Sequence, residues 1–502
     1  MAEEKIFCSS RSCQFNLREN MIPIKKSLVD DAAKVYNSNN RGMPGFTGNI
    51  EQKCNTYTGG KEILFMDRLE QKILSIIDEH AEELKELATK IYYNAERGFA
   101  EYETAKAAAD FLRKYGMEPR EGLALTGVKA NINESEGPSV ALIGELDGIG
   151  CPAHPDAVKA TGISHACGHE AQMIAVLGAA LALNDPEVKA ALGGKAIFFG
   201  VPAEENLSAD IKEELLKEGI VFNGGKSELI RRGEFDDVDI SITSHVHMVG
   251  GCTSDLLLGN VASTGFVSKS VHMKGKAAHA AAAPHNGVNA LNAATLGFSA
   301  MAMIRETFQE KDAVRVHGQI RDDGFPCQTI PDHVHVDLMV RAKTLEAINA
   351  TSAKVDRAYE GAAHAIGCEC EIVTSQGYLP IIKRDAEKSL IDAADVIKEQ
   401  NPAITIQHID DDMINFASTD AGDLTHIMPV INYTFGGSEG ALHSKDYRIT
   451  DNNKLYIMSA KMMALTAYEL LKDGAAEAKK VIDEFEPVMT KEEYIAYAQA
   501  LH

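Results

Sequence analysis

No run of about 18 apolar residues occurs in this 502-residue chain, which excludes a spanning helix on length alone. The opening Met1-Ala2-Glu3-Glu4-Lys5 lacks a basic stretch followed by an apolar one, so no secretory leader is expected. Positive charge is in short supply: 50 Lys and Arg stand against 73 Asp and Glu, a net charge of -23. That balance disfavours nucleic acid and anionic membrane as partners, since both need positive surface. Cysteine is sparse too. The nine residues are an odd number, and only Cys8/Cys13 and Cys368/Cys370 lie close together. Such usage suits a reducing cytoplasm better than a disulfide framework. No second pair stands near Cys8 and Cys13 to close a structural zinc site. Gly436-Gly437-Ser438 lacks the lysine of a phosphate loop, and neither a dinucleotide fingerprint nor a G-x-S-x-G elbow stands out. Internal repeats and low-complexity tracts are also missing.

What is present is apolar content of 45%, ample for packed cores, on a chain longer than one core usually serves. Residues 1–60 read as an irregular extension, rich in Gly, Asn and Pro from Asn37 to Gly60. A helical stripe begins near Arg68 (Leu69, Ile73, Ile76, Ile77) and continues after His80 through Leu84, Leu87 and Ile91. Further helices fit Glu101 to Tyr115, His169 to Leu183, Ala386 to Glu399 and Asn453 to about Lys472. Short apolar strands fit Val140–Ile143, Lys195–Gly200, Asp239–Thr243, Thr405–His408 and Ile431–Phe435. Several are followed at once by Glu, Asp or His. Ligand sites of open α/β sheets fall there.

The rhythm changes near Thr264. Strands at Phe266–Met273, Ala313–Ile320, Val334–Val340 and Glu369–Val373 alternate with helices at Val288–Met303 and Leu345–Ile366. That order, β-α-β-β-α-β, is a split βαβ motif. It predicts an α+β domain at 264–376 inserted into a discontinuous catalytic domain at 1–263 and 377–502.

The chemistry concentrates in a few segments. Cys167 and His169 sit two apart at the start of a helix, with His165 just before them. A thiol and an imidazole so placed can grip a borderline-soft cation, and the helix N-terminus favours the thiolate. Glu204-Glu205 follows a buried strand and Val-Pro-Ala; one acid can hold metal while its neighbour moves protons. His245 and His443 follow two more strands, with His247 competing for the role of His245.

With these pieces in order, the chain resembles the M20 metallopeptidase and amidohydrolase family. The similar branch holds amino-acid-conjugate, N-acyl-amino-acid and p-aminobenzoyl-glutamate hydrolases. The matching segments are Gly144-Glu145-Leu146-Asp147-Gly148, His165 to His169, Pro202 to Glu205, the strand end at His245, Gly275 to His279 with Pro284-His285, Ser418-Thr419-Asp420, and Leu442-His443-Ser444. The resemblance spans roughly Leu69 to Leu471 and implies an α/β, zinc-peptidase-like domain with a mixed central sheet and an inserted lid or dimerisation domain. It implies two divalent cations (Zn or Mn, with Co an option) held by Cys167, His169, Glu205, His245 and His443. Cys167 would be able to bridge them, and Glu204 would be the general base. It implies a homodimer in which His279, or His285 in its place, stabilises the oxyanion in the partner's site. His165 would support the ligands. Arg341 is a candidate fork for a substrate carboxylate, against the default of a solvated surface arginine. Asp420 and Asp423 would support the pocket, against simple capping by Ser418 or Thr419. The branch tends to have Asp where this chain has Glu145, which leaves the substrate open. The expected activity is hydrolysis of the amide in an N-acyl or N-aroyl amino acid or dipeptide-like molecule, p-aminobenzoyl-glutamate among the options. Another N-acylated metabolite, or a metal-binding homologue without catalysis, are the other readings.

Overall fold

A computed structural model describes residues 66–207, 209–247, 254–321, 324 and 326–501. The expectations for Cys8, Cys13 and the extension at 1–60 lie outside the described residues.

An eight-stranded sheet forms the frame of the larger part of the described chain. Its centre is four parallel strands in the order Lys195–Val201, Ser139–Glu145, Ile240–Val246, Val430–Phe435. Antiparallel strands Gly127–Asn131 and Arg120–Leu123 extend one side. On the other side Leu256–Leu258 pairs antiparallel with Val430–Phe435 and parallel with Ile406–His408, so the sheet is mixed. Continuous apolar runs such as Val140 to Ile143 form strands here because both faces are covered.

The helix His169–Leu183 is buried along its whole length. Its small residues explain how: a Cβ on Gly178 would lie 2.7 Å from Ala460 Cβ, on the helix Ser459–Asp483 that packs beside it. Three expectations need correction. The stripe around His80 is two helices, Arg68–Glu79 and Ala81–Tyr92, parted at His80. The strand placed at Asp239–Thr243 runs on to Val246, so His245 lies within the strand and not beyond it. The last long helix starts as a π-helical turn at Asn453–Met458, then runs Ser459–Asp483 with non-helical backbone from Lys472 to Ala475.

The inserted α+β domain holds a four-stranded antiparallel sheet in the order Arg315–Ile320, His333–Ala342, Gly265–Lys274, Glu369–Gln376. Helices Ala290–Met303 and Leu345–Ile366 pack on one face, over Val267, Val271, Val336, Leu338 and Val340. The alternation of His333–Ala342 leaves His335, Asp337, Met339 and Arg341 on the other face. Among the described residues, no helix is long and apolar enough to cross a membrane.

Candidate metal centre

All four central strands bring chemistry to the same edge of the sheet. Ser139–Glu145 ends in Glu145 and leads to Asp147; Lys195–Val201 leads to Glu204 and Glu205; Ile240–Val246 carries His245; Val430–Phe435 leads toward His443. This is the carboxyl edge, where an open α/β sheet leaves a crevice.

The segments between strand and site are tightly held. Gly168 adopts a left-handed backbone at φ 80°, and a Cβ there would meet Val246 at 2.8 Å. Only glycine turns the chain from Cys167 into the helix at His169 without strain. Ala203 is also left-handed, at φ 48°. Its N–H donates to Glu101 Oε1 at 2.8 Å, and its carbonyl accepts from Gly225 N–H at 2.8 Å. The Tyr378 hydroxyl donates to the Glu204 carbonyl at 2.5 Å. His443 has φ 58°, unusual for a non-glycine residue, and is tied through its N–H to the Ala166 carbonyl at 2.9 Å. Strain of this kind is kept where the surroundings impose it.

The side chains meet. Among the described residues, three groups have ligand atoms within 4.8 Å of one another: Cys167, His169 and His245; Cys167, Glu205 and His443; Glu145, His169 and Glu204. Cys167 Sγ lies 3.5 Å from His245 Nε2 and 3.2 Å from His443 Nε2. His443 Nε2 is 3.2 Å from Glu205 Oε1. His443 is at the rim, while Cys167, His169 and Glu205 are buried.

The hydrogen bonds also prepare the imidazoles for a cation. His169 Nδ1 donates to the Asp147 carbonyl at 2.9 Å, and Asp147 Oδ1 lies 3.2 Å from the same nitrogen. Asp147 Oδ2 accepts from Glu205 N–H at 2.8 Å, so one carboxylate orients two neighbouring groups. His245 Nδ1 donates to the Val246 carbonyl at 2.9 Å. Both rings therefore keep Nε2 as the free lone pair. His169 Nε2 and Glu205 Oε1 are buried without a hydrogen bond. Orphaned acceptors beside a thiol and carboxylates are what a bound divalent cation would satisfy. The donor set fits such an ion.

Electrostatics point the same way. Burial, followed by Glu205, holds the Cys167 thiol well above its ordinary range. A thiolate there needs a cation. Burial, then Glu145 and Glu205, push Glu204 well above the usual carboxylate range. Against burial, His443 and His169 hold Glu205 low. Burial takes His245 down to about 4.

The competing histidines separate. His247 Nδ1 faces Thr434 Oγ1 at 2.8 Å and its Nε2 faces the Ser254 carbonyl at 2.8 Å, so it joins no ligand group. His165 is buried behind the loop, 3.8 Å from Glu170. His279 is exposed on the inserted domain and belongs to none of the groups. Its Nδ1 accepts from the N–H groups of Ala281 and Ala282 at 3.2 and 3.1 Å. His285 is exposed on a neighbouring turn. Arg341 is not a solvated surface residue. Its guanidinium stacks on Phe266 at 4.9 Å and donates to Ser418 Oγ at 2.8 Å.

Two residues escaped the sequence reading. Lys226, fully buried, donates to Glu145 Oε1 at 2.6 Å and Asp420 Oδ1 at 2.5 Å. Gln172 Nε2 donates to Glu145 Oε2 at 2.7 Å, and that oxygen lies 3.2 Å from His169 Nε2. Glu145, noted only as a departure from the branch, is thus held against His169, a candidate ligand. Asp423 Oδ1 accepts from Leu379 N–H at 2.9 Å, while Thr419 Oγ1 accepts from Ala421 N–H at 3.2 Å. The Asp420 region both supports the site and caps a short helix.

Residues 261–365 match the family model described as a peptidase dimerisation domain. The chain is 28% identical over 433 residues to the mouse Xaa-Arg dipeptidase, covering 81% of this chain and 90% of that one. Both likenesses are to the M20 peptidase and amidohydrolase family. The chain is also 29% identical over 307 residues to one subunit of the p-aminobenzoyl-glutamate hydrolase of Escherichia coli K12, covering 58% of each chain. A Bacillus subtilis structure described as a dinuclear metal binding peptidase of the M20 family shares the fold. Its TM-score is 0.57 at 20% identity, covering 78% of this chain and 99% of that one. At family level the activity is metal-dependent hydrolysis of an amide bond in an N-acyl amino-acid-like substrate. The chain carries a candidate dinuclear site for such chemistry.

Proposed function

We propose that this M20 enzyme is a di-metal amidohydrolase, releasing an amino acid from an N-acyl or N-aroyl amino acid or a dipeptide-like amide. The observation that carries this reading is the membership of Cys167 in two ligand groups at once, with Glu204 beside them. Cys167, His169 and His245 would hold one cation. Cys167, Glu205 and His443 would hold the other, with Zn, Mn or Co as the ion. Bound divalent cations supply Lewis acidity, lowering the pKa of water and polarising the scissile carbonyl.

The chain supplies the proton chemistry. Glu204 Oε2 lies 3.8 Å from His169 Nε2 and is anchored through its own backbone by Tyr378. It takes the proton from the attacking water and returns it to the leaving nitrogen, which cannot depart as an anion near neutral pH. The burial that raises its proton affinity suits the second step. His279 supports an oxyanion role: two backbone donors on Nδ1 leave the proton on Nε2, free to donate. As His279 lies outside the ligand groups of its own chain, a homodimer in which it serves the partner's site fits best. The cytoplasm is the expected compartment. An intact Glu204 argues against a non-catalytic metal-binding homologue, which has no use for it. Among substrates, p-aminobenzoyl-glutamate and Xaa-Arg dipeptides are both within reach of the named relatives.

The test is an amine-release screen over N-acyl, N-aroyl and dipeptide amides, with metal-stripped protein reloaded with one cation at a time. Release only after reloading is the expected result. A reloaded protein that cleaves none of these amides overturns the reading.

A further inference from the structure

A cavity of about 490 Å³ lies between the catalytic part and the bare face of the inserted sheet. That is the size of a small-molecule site. One wall is Asn206, Leu207 and Lys212; the other includes His317, Arg321 and Asp337. Two runs of residues lead from it toward the candidate metal centre. Asn206 follows Glu205 directly in the chain. On the far side His317 is 3.3 Å from Arg341 Nε, and Arg341 reaches Ser418, next to Thr419. Thr419 lines a small recess of about 40 Å³ shared with Glu145 and His245.

Among the described residues, the charges that line the cavity do not balance. Asp337 Oδ2 accepts from Arg321 Nε at 2.6 Å, and its other oxygen lies 3.2 Å from His335 Nε2. Lys269 also lines the wall, yet its ammonium is 2.7 Å from Asp356 and 2.8 Å from Thr374 Oγ1. Lys212, on the helix Ala209–Lys217, is different. Its Nζ donates to Asn206 Oδ1 at 2.9 Å, and among the described residues no carboxylate lies within ion-pair reach of it. Two ammonium protons and the Asn206 amide N–H₂ are left to face a ligand, a donor set for one carboxylate.

We propose that Lys212 and Asn206 form a subsite for a second, side-chain carboxylate of the substrate, so that the enzyme acts on amides of acidic amino acids in preference to neutral or basic ones. This rests on the amidohydrolase reading and narrows it. Among the described lining residues, a cationic Xaa-Arg side chain would meet Lys212 and Arg321, with Asp337, already doubly engaged, as the one carboxylate to receive it. Burial draws Lys212 down to about 8 against the opposing influence of Asp337. The groups that face it across the cavity are Asp337, Arg321 and His317, with Lys269 behind them. An uncharged Lys212 attracts no carboxylate, so the preference exists below about pH 8 and fades above it; a bound carboxylate moves that limit upward.

The experiment compares p-aminobenzoyl-glutamate, -glutamine and -arginine, by kcat/KM and by calorimetric binding to the metal-loaded enzyme. The glutamate compound is expected to be favoured over its glutamine isostere by roughly 10- to 100-fold, the worth of a charged hydrogen bond. Lys212→Met should bring that ratio close to one. Lys212→Arg should keep it and abolish its decline above about pH 8, because guanidinium does not titrate there. A Lys212→Met ratio equal to wild type, or a wild type that favours the arginine compound, overturns the subsite. Calorimetry separates the two readings: charge-selective binding without turnover retains the subsite and removes the hydrolase, whereas turnover without charge selectivity does the reverse.

Discussion

Lys226 Nζ lies 2.6 Å from Glu145 Oε1, with neither side chain more than 3% exposed, and the second oxygen of that carboxylate faces His169 Nε2 at 3.2 Å. Asp420 closes the ion group at 2.5 Å from the same ammonium. Against burial, Asp420 and Glu145 hold Lys226 charged, and Lys226 with His169 keeps Glu145 ionised. Lys226→Met leaves two carboxylates buried without their cation. The expected loss is roughly 3–5 kcal/mol of stability, the cost of breaking a buried pair from one side. Chemical denaturation of the metal-free protein measures it. A variant as stable as wild type would show that Glu145 and Asp420 are neutral in the folded chain.

Glu204→Gln keeps the shape of the side chain and removes the base. We expect kcat to fall by roughly 10²- to 10⁴-fold, with metal content unchanged. Steady-state kinetics paired with elemental analysis check it. Near-normal turnover at full metal content would move the proton-transfer role to another group.

Gly168→Ala tests the turn that aims Cys167 and His169. Its φ of 80° and a Cβ 2.8 Å from Val246 Cγ1 and 3.0 Å from the Tyr447 hydroxyl leave no room for a methyl group. The expected cost is about 1–3 kcal/mol, with weaker metal retention because the ligands on either side are displaced. Thermal melts with and without added cation read both effects. A variant with wild-type stability and metal retention would mean the turn is soft.

Much of this cluster was legible in the sequence because its candidate ligands sit next to strand ends, and those strands are plain apolar runs. Cys167-Gly168-His169 and Glu204-Glu205 are local patterns. The choice between His245 and His247 was open in the sequence, and the extra strand residues to Val246, with the bond of His247 to Thr434, explain the arrangement. Lys226 was not legible. Its partners are 81 and 194 residues away, and Gly225-Lys226 in an otherwise charged stretch has no periodic signature. Short elements were missed for the same reason: Gly127–Asn131, Leu256–Leu258 and Ala209–Lys217 depend on neighbours that the chain supplies far away. Lys212 sits on the last of these, so its cavity had no counterpart in the letters.

The assignment of His279 to a partner's site predicts complementation. Glu204→Gln and His279→Ala are each expected to be poorly active alone. Mixed under conditions that exchange protomers, they form heterodimers with one site that has both groups. Activity should rise well above the sum of the two parents, in a protomer-exchange assay followed by size-exclusion chromatography. No gain in a mixture shown to contain heterodimers would place His279 in its own chain's site or outside catalysis.

The shared role of Cys167 is tested most directly by metal stoichiometry. Wild type, Cys167→Ala and His443→Ala are reloaded with zinc, dialysed and analysed for zinc per folded chain by mass spectrometry. We predict about two equivalents for wild type, about one for His443→Ala and close to none for Cys167→Ala, since the thiol belongs to both ligand groups. A wild type that binds one ion, or a Cys167→Ala variant that still holds two, would contradict a thiol-linked pair of cations.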